Sequence, residues 1–183
     1  MQALIGNTPL VKLTHIDLPE GVNIFAKLEL CNPGGSVKDR AGKYMIEDAE
    51  RRGLLRPGGT IIEGTAGNTG LGIAMAALNK GYRVIFVVPK KFSQEKQTLM
   101  RALGAEIVNT PREEGMLGAT AKAEELRASI PGAVSLKQFE TRQTLLRTTR
   151  PPARRSIGIW TARSTTLWLV RAAAAPIPAS SGI

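Results

Sequence analysis

Cysteine and histidine each occur once in this chain of 183 residues, and long apolar runs are missing. The single cysteine, Cys31, excludes an internal disulfide, and the single histidine, His15, excludes a metal site built from several histidines. No apolar run reaches the roughly 20 residues that span a bilayer, and residues 1–10 lack the features of a secretory signal. These absences favour a soluble, cytoplasmic protein without a metal centre.

Acidic residues are absent from the last part of the chain. Residues 1–140 contain all 15 Asp and Glu, whereas residues 141–183 contain seven arginines, no lysine and both tryptophans. Such a basic tail is typical of an arm that binds nucleic acid or a membrane surface. The alternative is GC-rich DNA translated out of frame, which yields Arg, Ala and Pro but little Lys. The break in composition predicts two parts, 1–140 and 141–183.

The first part alternates strands and helices. Its apolar pattern predicts strands at 23–29, 60–63, 82–89 and 106–109, and helices that start near residues 37, 68, 93 and 116 and end near residues 52, 80, 103 and 129. The strand at 82–89 holds five consecutive apolar residues, which is typical of a strand buried on both faces. We therefore predict an α/β fold with a parallel sheet, whose ligands bind at the carboxyl ends of the strands.

The segment 32–40 (NPGGSVKDR) leads into the first long helix. Ser36 is placed to cap this helix, and Lys38 then lies in the first turn, where the helix dipole disfavours a cation. A lysine held there and partly desolvated loses its proton more readily, and the neutral amine attacks carbonyl groups. The alternative is an ordinary solvated helix lysine.

The segment 63–70 (EGTAGNTG) leads from a strand into the next helix. Its small residues leave backbone N–H groups available at a helix start, which suits a carboxylate or a phosphate. The hydroxyls of Thr65 and Thr69 and the amide of Asn68 add polar groups. The segment is neither a Walker A loop nor a GxGxxG motif. The alternative is a capped turn before a buried helix.

Together, these motifs resemble those of the cysteine synthase and cystathionine β-synthase family of pyridoxal-phosphate (PLP) enzymes. The resemblance begins at residues 5–10 (IGNTPL), continues through 32–40 and 63–70, and ends at Gln138 and Phe139. It implies that residues 1–140 form the parallel-sheet βα layers of the N-terminal half of a PLP-dependent β-synthase.

The resemblance also implies a role for each matching residue. Lys38 matches the lysine that forms a Schiff base with PLP and later moves the substrate α-proton. Asn68 matches the side chain that hydrogen-bonds the PLP ring hydroxyl, and Gln138 matches a glutamine that lines the same pocket. The loop that binds the substrate α-carboxylate is matched by Thr65, Ala66, Gly67, Asn68 and Thr69.

The implied reaction is β-replacement in cysteine biosynthesis, in which O-acetylserine and sulfide give cysteine and acetate. The alternative is a cystathionine β-synthase-type condensation of serine or O-acetylserine with homocysteine. Ala66, where many members have serine, together with Gly34 and Gly35, favours the branch that uses O-acetylserine with sulfide or homocysteine. The implied partners are these small molecules, with no nucleic acid or membrane, and the parent enzyme is expected to be a homodimer.

Beyond Glu140 the resemblance stops. The Asn-Pro-rich turn, the Thr-Thr-Gly-Pro-Glu helix start and the Gly/Ser-rich phosphate loop of the family are not found in residues 141–183. Read one base earlier, the four alanine codons at 172–175 become codons for Gly, Ser, Cys or Arg, which is the composition of that loop. We therefore expect a reading-frame shift close to Glu140, followed by a disordered tail.

A chain that lacks the second half of the enzyme should leave its parallel sheet partly uncovered. We therefore expect the chain as written to be truncated, poorly folded and inactive. The alternatives from other functional classes are a non-catalytic fragment and a basic binding protein.

Overall fold

The structure is a computed structural model that describes residues 2–20 and 22–136 and the backbone of Thr166–Val170. The strands are β1 (Leu10–Leu13), β2 (Asn23–Lys27), β3 (Thr60–Gly64), β4 (Arg83–Pro89), β5 (Glu106–Thr110) and β6 (Thr166–Val170). The helices are α1 (Lys38–Arg51), α2 (Asn68–Ala77), α3 (Gln94–Ala102) and α4 (Gly115–Ser129). A short 3-10 turn, Glu29–Cys31, follows β2.

The central sheet has the strand order β3-β4-β5 and is parallel throughout. A helix follows each strand and returns the chain to the same end of the sheet, so each parallel strand pair is joined by a helical crossover. The predicted α/β fold with a parallel sheet is thereby confirmed.

Strand β4 is the centre of the core. On one face, Phe86 packs in a cluster with Met45 of α1, Ile73 of α2 and Met100 of α3. On the other face, the side chains of β4 pack against Ala119 and its neighbours on α4. A strand with this environment must be apolar at every position, which explains the continuous apolar run.

The expectation that this sheet is left uncovered is wrong. The side chains from Val84 to Val88 are between 0 % and 6 % exposed, and nine of the ten residues of α2 are buried. The helices that pack against them belong to the described part of the same chain.

A second sheet has the strand order β1-β2-β6. Strand β1 runs antiparallel to β2, and β6 runs parallel to β2 on its other side, with Phe25 opposite Trp168. The sequence predicts neither β1 nor β6. The residues of β6, TLWLV, have high strand propensity, which explains a strand at this point of the tail. The rest of the tail, whose disorder was expected, lies outside the described residues.

The predicted helix ends hold with one exception. Gly53 follows the last turn of α1 with φ of 69°, as expected for a glycine at this position, and the hydroxyl of Ser93 caps α3 by accepting a hydrogen bond from the Lys96 N–H. Helix α2 ends at Ala77 rather than at Lys80, because Leu78 leaves the helical conformation and Asn79 adopts φ of 61°.

Candidate active site

Lys38 is the first residue of α1 and is half-buried. The prediction that Ser36 caps this helix is wrong in position, because Val37 occupies the N-cap and makes no side-chain cap. The Ser36 hydroxyl still accepts a hydrogen bond of 3.2 Å from the Lys38 backbone N–H. The Lys38 side chain makes no hydrogen bond or ion pair with any residue that the structure describes. Its amine is therefore left available for a ligand.

The starts of α1 and α2 are held together by a contact between backbones. A Cβ on Gly72 would lie 2.3 Å from the carbonyl oxygen of Lys38, and a Cβ on Gly42 would lie 2.4 Å from the backbone of Gly72. Asn68 lies one turn before Gly72, on the same face of α2. The packing of the two helices thus brings Asn68 to the side of α2 that faces Lys38.

The loop before α2 contains the predicted carboxylate-binding residues. Gly67 occupies the N-cap position without a side-chain cap, and a Cβ on Gly67 would meet no atom within 4 Å. The side-chain amide of Asn68 is half-buried and has no hydrogen-bond partner among the described residues. The helix start therefore presents an open approach with polar groups around it, which suits an anion.

The two threonines of this loop are both buried. The hydroxyl of Thr65 accepts a hydrogen bond of 3.1 Å from the Gly70 N–H, and its side chain is buried. Thr65 thus fixes the loop to the first turn of α2. Thr69 is also buried, while Ala66 packs its methyl group against the core cluster, which leaves the backbone as the group that Ala66 can offer a ligand.

A buried ion pair lies directly beside the start of α1. The Arg40 Nε donates to Glu29 Oε2 over 2.8 Å, and Arg40 Nη2 donates to Glu29 Oε1 over 2.9 Å. Arg40 Nη2 also donates to the Gly6 carbonyl over 2.9 Å, and the Thr8 hydroxyl donates to Glu29 over 3.0 Å. Asn32 completes the group, because it donates to Glu29 and accepts from the Gly6 N–H.

The pKa of Glu29 reflects this environment. Burial alone would raise the pKa of this carboxyl, but the hydrogen bonds from Arg40 and Asn32 outweigh burial and hold the pKa below its usual value. Glu29 is therefore ionised throughout the neutral range and balances the charge of Arg40.

Asp39, between Lys38 and Arg40, has a different environment. Its side chain is fully buried, and its Oδ2 accepts a hydrogen bond from the Gly34 N–H, whereas Oδ1 has no partner in the described part of the chain. Burial, reinforced by the negative charge of Glu29, raises the pKa of Asp39. The carboxyl ties the glycine turn to the start of α1.

Gln138 lies outside the described residues, so its predicted place in the site stays a prediction. The described chain ends close to that position, where the Glu63 carboxylate accepts hydrogen bonds of 3.0 Å from the Ser135 hydroxyl and the Leu136 N–H. Glu63 lies two residues before Thr65, so the chain at Leu136 is anchored beside the carboxylate loop.

The sequence gives only weak signals for the residues that were not predicted. Glu29, Arg40 and Thr8 lie within or beside the recognised motifs, but their pairing joins segments more than ten residues apart. One signal is present: a charged residue at position 40 faces inward on a helix whose other inward positions are mostly apolar or small. Cys31 is exposed, although a small thiol is more often buried, and it ends the short 3-10 turn.

A metal-binding cluster and a membrane-spanning helix are both absent from the described residues. They contain no group of three or more His, Cys, Asp or Glu side chains that could hold a metal ion. Among the same residues, no helix combines the length and apolar character needed to cross a membrane.

Known proteins with similar sequences include cystathionine beta-synthases and cysteine synthases. The chain is 54 % identical over 139 residues to the O-acetylserine dependent cystathionine beta-synthase of Bacillus subtilis (strain 168), an alignment that covers 76 % of this chain and 45 % of the relative. It is 53 % identical over 142 residues to a cysteine synthase of Helicobacter pylori (strain J99), covering 76 % of this chain and 47 % of that protein.

The structural comparison agrees. The crystal structure of cystathionine beta-synthase from Bacillus anthracis superposes with a TM-score of 0.74 and 54 % identity, over 86 % of this chain and 62 % of that chain. This chain spans about half the length of the curated relatives it matches. A family model described as pyridoxal-phosphate dependent enzyme matches residues 1–151, and the chain therefore belongs to the family of pyridoxal-phosphate dependent enzymes.

Proposed function

We propose that this chain carries the cofactor-attachment and carboxylate-binding half of an enzyme that performs β-replacement in cysteine biosynthesis. The substrates of the whole enzyme are O-acetylserine and sulfide, and the products are cysteine and acetate. The relatives named above support this class of reaction, since one is a cysteine synthase and another is an O-acetylserine dependent enzyme.

One observation carries the proposal. Lys38 and Asn68 are half-buried residues whose side-chain amine and amide have no partner among the described residues, and the helices that bear them are packed together at their starts. Both groups can therefore bind the same ligand without first breaking a contact within the described part of the chain. A lysine and an amide fit PLP, which offers an aldehyde to the amine and a ring hydroxyl to the amide.

When bound, PLP supplies an electron sink for negative charge at the substrate α-carbon. Lys38 would hold the cofactor covalently through its amine and, once released, would accept and return the α-proton at its Nζ atom. Asn68 would orient the ring. The contact between Gly72 and the Lys38 carbonyl fixes the backbone from which both side chains extend.

The loop 65–69 would bind the substrate α-carboxylate. The uncapped start of α2 and the open space at Gly67 support this assignment, because backbone N–H groups and the helix dipole favour an anion there. Thr65 would act by fixing the loop, whereas Thr69, the backbone of Ala66 and Gly67, and Gln138 would contact the substrate directly.

A second candidate reaction is the condensation of O-acetylserine or serine with homocysteine. It is favoured by the relative from Bacillus subtilis, which is described as an O-acetylserine dependent cystathionine beta-synthase. When both start from O-acetylserine, the two reactions differ only in the nucleophile, whereas the reaction of serine also releases water in place of acetate.

Borohydride reduction tests the cofactor site. The chain is incubated with PLP and reduced, and the modified peptide is identified by mass spectrometry. We expect the cofactor to be fixed on Lys38 as a stable secondary amine in the wild type and in a Lys43→Ala control, and to be lost in Lys38→Ala. Modification spread evenly over the lysines would contradict the assignment.

A second experiment distinguishes the nucleophiles. The gene is restored to the proposed frame, and the enzyme is supplied with O-acetylserine and either sulfide or homocysteine. Turnover of O-acetylserine that depends on sulfide alone supports the cysteine synthase reaction, and faster turnover with homocysteine supports the alternative. No turnover with either nucleophile would exclude both.

We also propose that residues 1–140 form the N-terminal half of the enzyme and that residues 141–183 are translated out of frame. The composition of the tail supports this proposal, because it has no acidic residue and no lysine. Resequencing the coding region around codon 140 tests it directly. The frame-restored enzyme is expected to form a homodimer, which sedimentation of the purified protein would establish.

A further inference from the structure

Three consecutive residues at the start of α1 each make a hydrogen bond to a different residue that precedes the helix. The Lys38 N–H is bonded to the Ser36 hydroxyl, the Asp39 carboxyl accepts from the Gly34 N–H, and the Arg40 guanidinium is paired with Glu29. Successive helical residues point in directions about 100° apart. When the side chains of Asp39 and Arg40 are both fixed, the first turn of α1 cannot rotate about the helix axis. The direction in which the Lys38 side chain leaves the helix is then fixed as well.

We propose that Arg40, through its pair with Glu29, is a positioning residue that sets the direction of the Lys38 side chain. The inference rests on the proposed function, in which the Lys38 amine attaches the cofactor. Arg40 does not touch the reacting atoms; it acts through the backbone of α1.

The geometry of the pair suits this role. The planar guanidinium binds Glu29 through two parallel hydrogen bonds, and the same Nη2 atom reaches the Gly6 carbonyl, so rotation of the Arg40 side chain breaks contacts in two segments. Both partners are almost completely buried, with 4 % and 1 % of their side chains exposed. Lysine offers no such fork, although it carries the same charge.

The surroundings of Lys38 make such positioning necessary. The amine has no partner among the described residues, so nothing at the end of the side chain directs it. Its direction must therefore come from the backbone. The Gly72 contact restrains the helix from one side, and the Arg40 pair restrains it through Glu29, Thr8 and Gly6.

The chain offers a matched control for the pair. Arg83 on β4 binds Glu106 on β5 through the same two-bond geometry, at 2.7 and 2.9 Å, but about half of each side chain is exposed. Neither residue contacts α1 in the described hydrogen bonds. The substitution Arg83→Lys therefore removes a guanidinium fork without disturbing Lys38.

The experiment compares Arg40→Lys, the double variant Glu29→Gln with Arg40→Gln, and the control Arg83→Lys, all in the full chain. The double variant removes both charges and leaves neither buried alone, which spares stability. Two properties of Lys38 are measured: the share of borohydride-fixed PLP that it carries, and its acetylation by acetic anhydride without PLP, relative to the exposed Lys90. Thermal unfolding of each variant is followed by circular dichroism.

We expect Arg40→Lys and the double variant to lower the Lys38 share of fixed PLP by about tenfold, since misplacement of a reacting group costs this much or more. The relative acetylation of Lys38 should change at least ~threefold, and Arg83→Lys should alter neither property. A double variant that unfolds cooperatively and keeps both Lys38 properties within twofold of the wild type would overturn the proposal.

If both Arg40 variants fail to fold, hydrogen exchange of the wild type decides. The proposal requires that peptides covering residues 5–9 and 34–40 exchange at similar rates, because the pair joins them. Much faster exchange of 5–9 would overturn it. If PLP is not fixed on Lys38 in the wild type, the proposed function fails, whereas the acetylation comparison still tests the positioning role.

Discussion

Thr65 precedes α2, whereas Thr69 lies in its first turn. The Thr65 hydroxyl is engaged with the Gly70 N–H, so its removal would loosen the loop itself. Thr69 is the second residue of α2, and a hydroxyl at this position can reach an anion bound at the helix start.

We predict that Thr69→Ala in the frame-restored enzyme weakens binding of the amino-acid substrate by about tenfold, the loss of one charge-assisted hydrogen bond. PLP retention should fall far less, because the hydroxyl is assigned to the substrate carboxylate. Titration of the cofactor absorbance with O-acetylserine measures the first quantity, and gel filtration measures the second. Thr120→Ala, on the exposed face of α4, serves as control, and equal losses of substrate and PLP would assign the loop to another ligand.

Asp39 gives a prediction about pH. Burial raises its pKa above the ordinary value of 3.8, so in acid the folded state keeps a proton that the unfolded state has released. The Asp39 carboxyl therefore costs stability as the pH rises through this range. In Asp39→Asn, the amide oxygen still accepts from Gly34 and no charge is buried.

We therefore expect the stability of Asp39→Asn relative to the wild type to increase from pH 4 to pH 7. Only the wild type has a buried carboxyl that must lose its proton over this range, and burial makes that ionisation unfavourable. Chemical unfolding across this pH range measures the difference. Asp39→Ala should be less stable than Asp39→Asn at every pH, because it loses the bond to Gly34. A difference in unfolding free energy that does not vary with pH would show that the pKa of the Asp39 carboxyl is not raised in the folded protein.

Helices α1 and α2 approach through glycine rather than through interlocking side chains. The carbonyl of Lys38 occupies the space that a Cβ on Gly72 would need. A methyl group on residue 72 would push the starts of the two helices apart, and the atom that it would displace is the carbonyl oxygen of Lys38.

We predict that Gly72→Ala lowers the free energy of unfolding by about 2 kcal/mol, because overpacking at a backbone contact forces the helices apart. It should also abolish fixation of PLP on Lys38. In contrast, Gly67→Ala has open space for its methyl group, and it should cost less than about 1 kcal/mol. Denaturant unfolding of both variants measures the contrast, and similar losses would mean that the contact does not limit the packing.

The predictability of each element follows from how local its determinants are. The strands β3, β4 and β5 and the helices α1, α2 and α3 are encoded in the local spacing of apolar residues, and Gly53 and Ser93 mark the end of α1 and the start of α3. Strand β1 escaped prediction because it is short and lies at an edge, where only two of its four residues are half-buried. Lys38 was recognised from its motif, but the partnership of Arg40 with Glu29 depends on contacts that no local pattern encodes.

At the scale of the whole molecule, the described residues that pack on the central sheet lie between positions 41 and 136 of the chain. The helices on both faces of β4 are close in sequence to the strands they cover. We therefore expect an inactive chain to fail in cofactor contacts before it fails in the packing of this sheet.

We predict that the 183-residue chain unfolds cooperatively but does not retain PLP. Within the proposed frame shift, the Gly/Ser loop for the PLP phosphate is absent, so the cofactor depends on a bond to Lys38 that water can hydrolyse. Melting followed by circular dichroism tests the first statement, and the ratio of PLP to protein after gel filtration tests the second. Stoichiometric PLP with sulfide-dependent turnover would contradict both the frame shift and the need for the loop.

The pairing of β2 with β6 has a consequence for the order in which the molecule forms. Phe25 and Trp168 are opposite each other although they are 143 positions apart in the chain. Neighbouring strands of the central sheet, in contrast, are separated by one helical crossover. Closing a longer loop costs more entropy, and contacts between distant residues form late. During synthesis from the N-terminus, all three strands of the central sheet are made before β6. The edge of β2 that pairs with β6 therefore stays unpaired until residues 166–170 have been synthesised. A nascent chain arrested after residue 136 should therefore resist proteolysis in the central sheet while its second sheet remains open to cleavage.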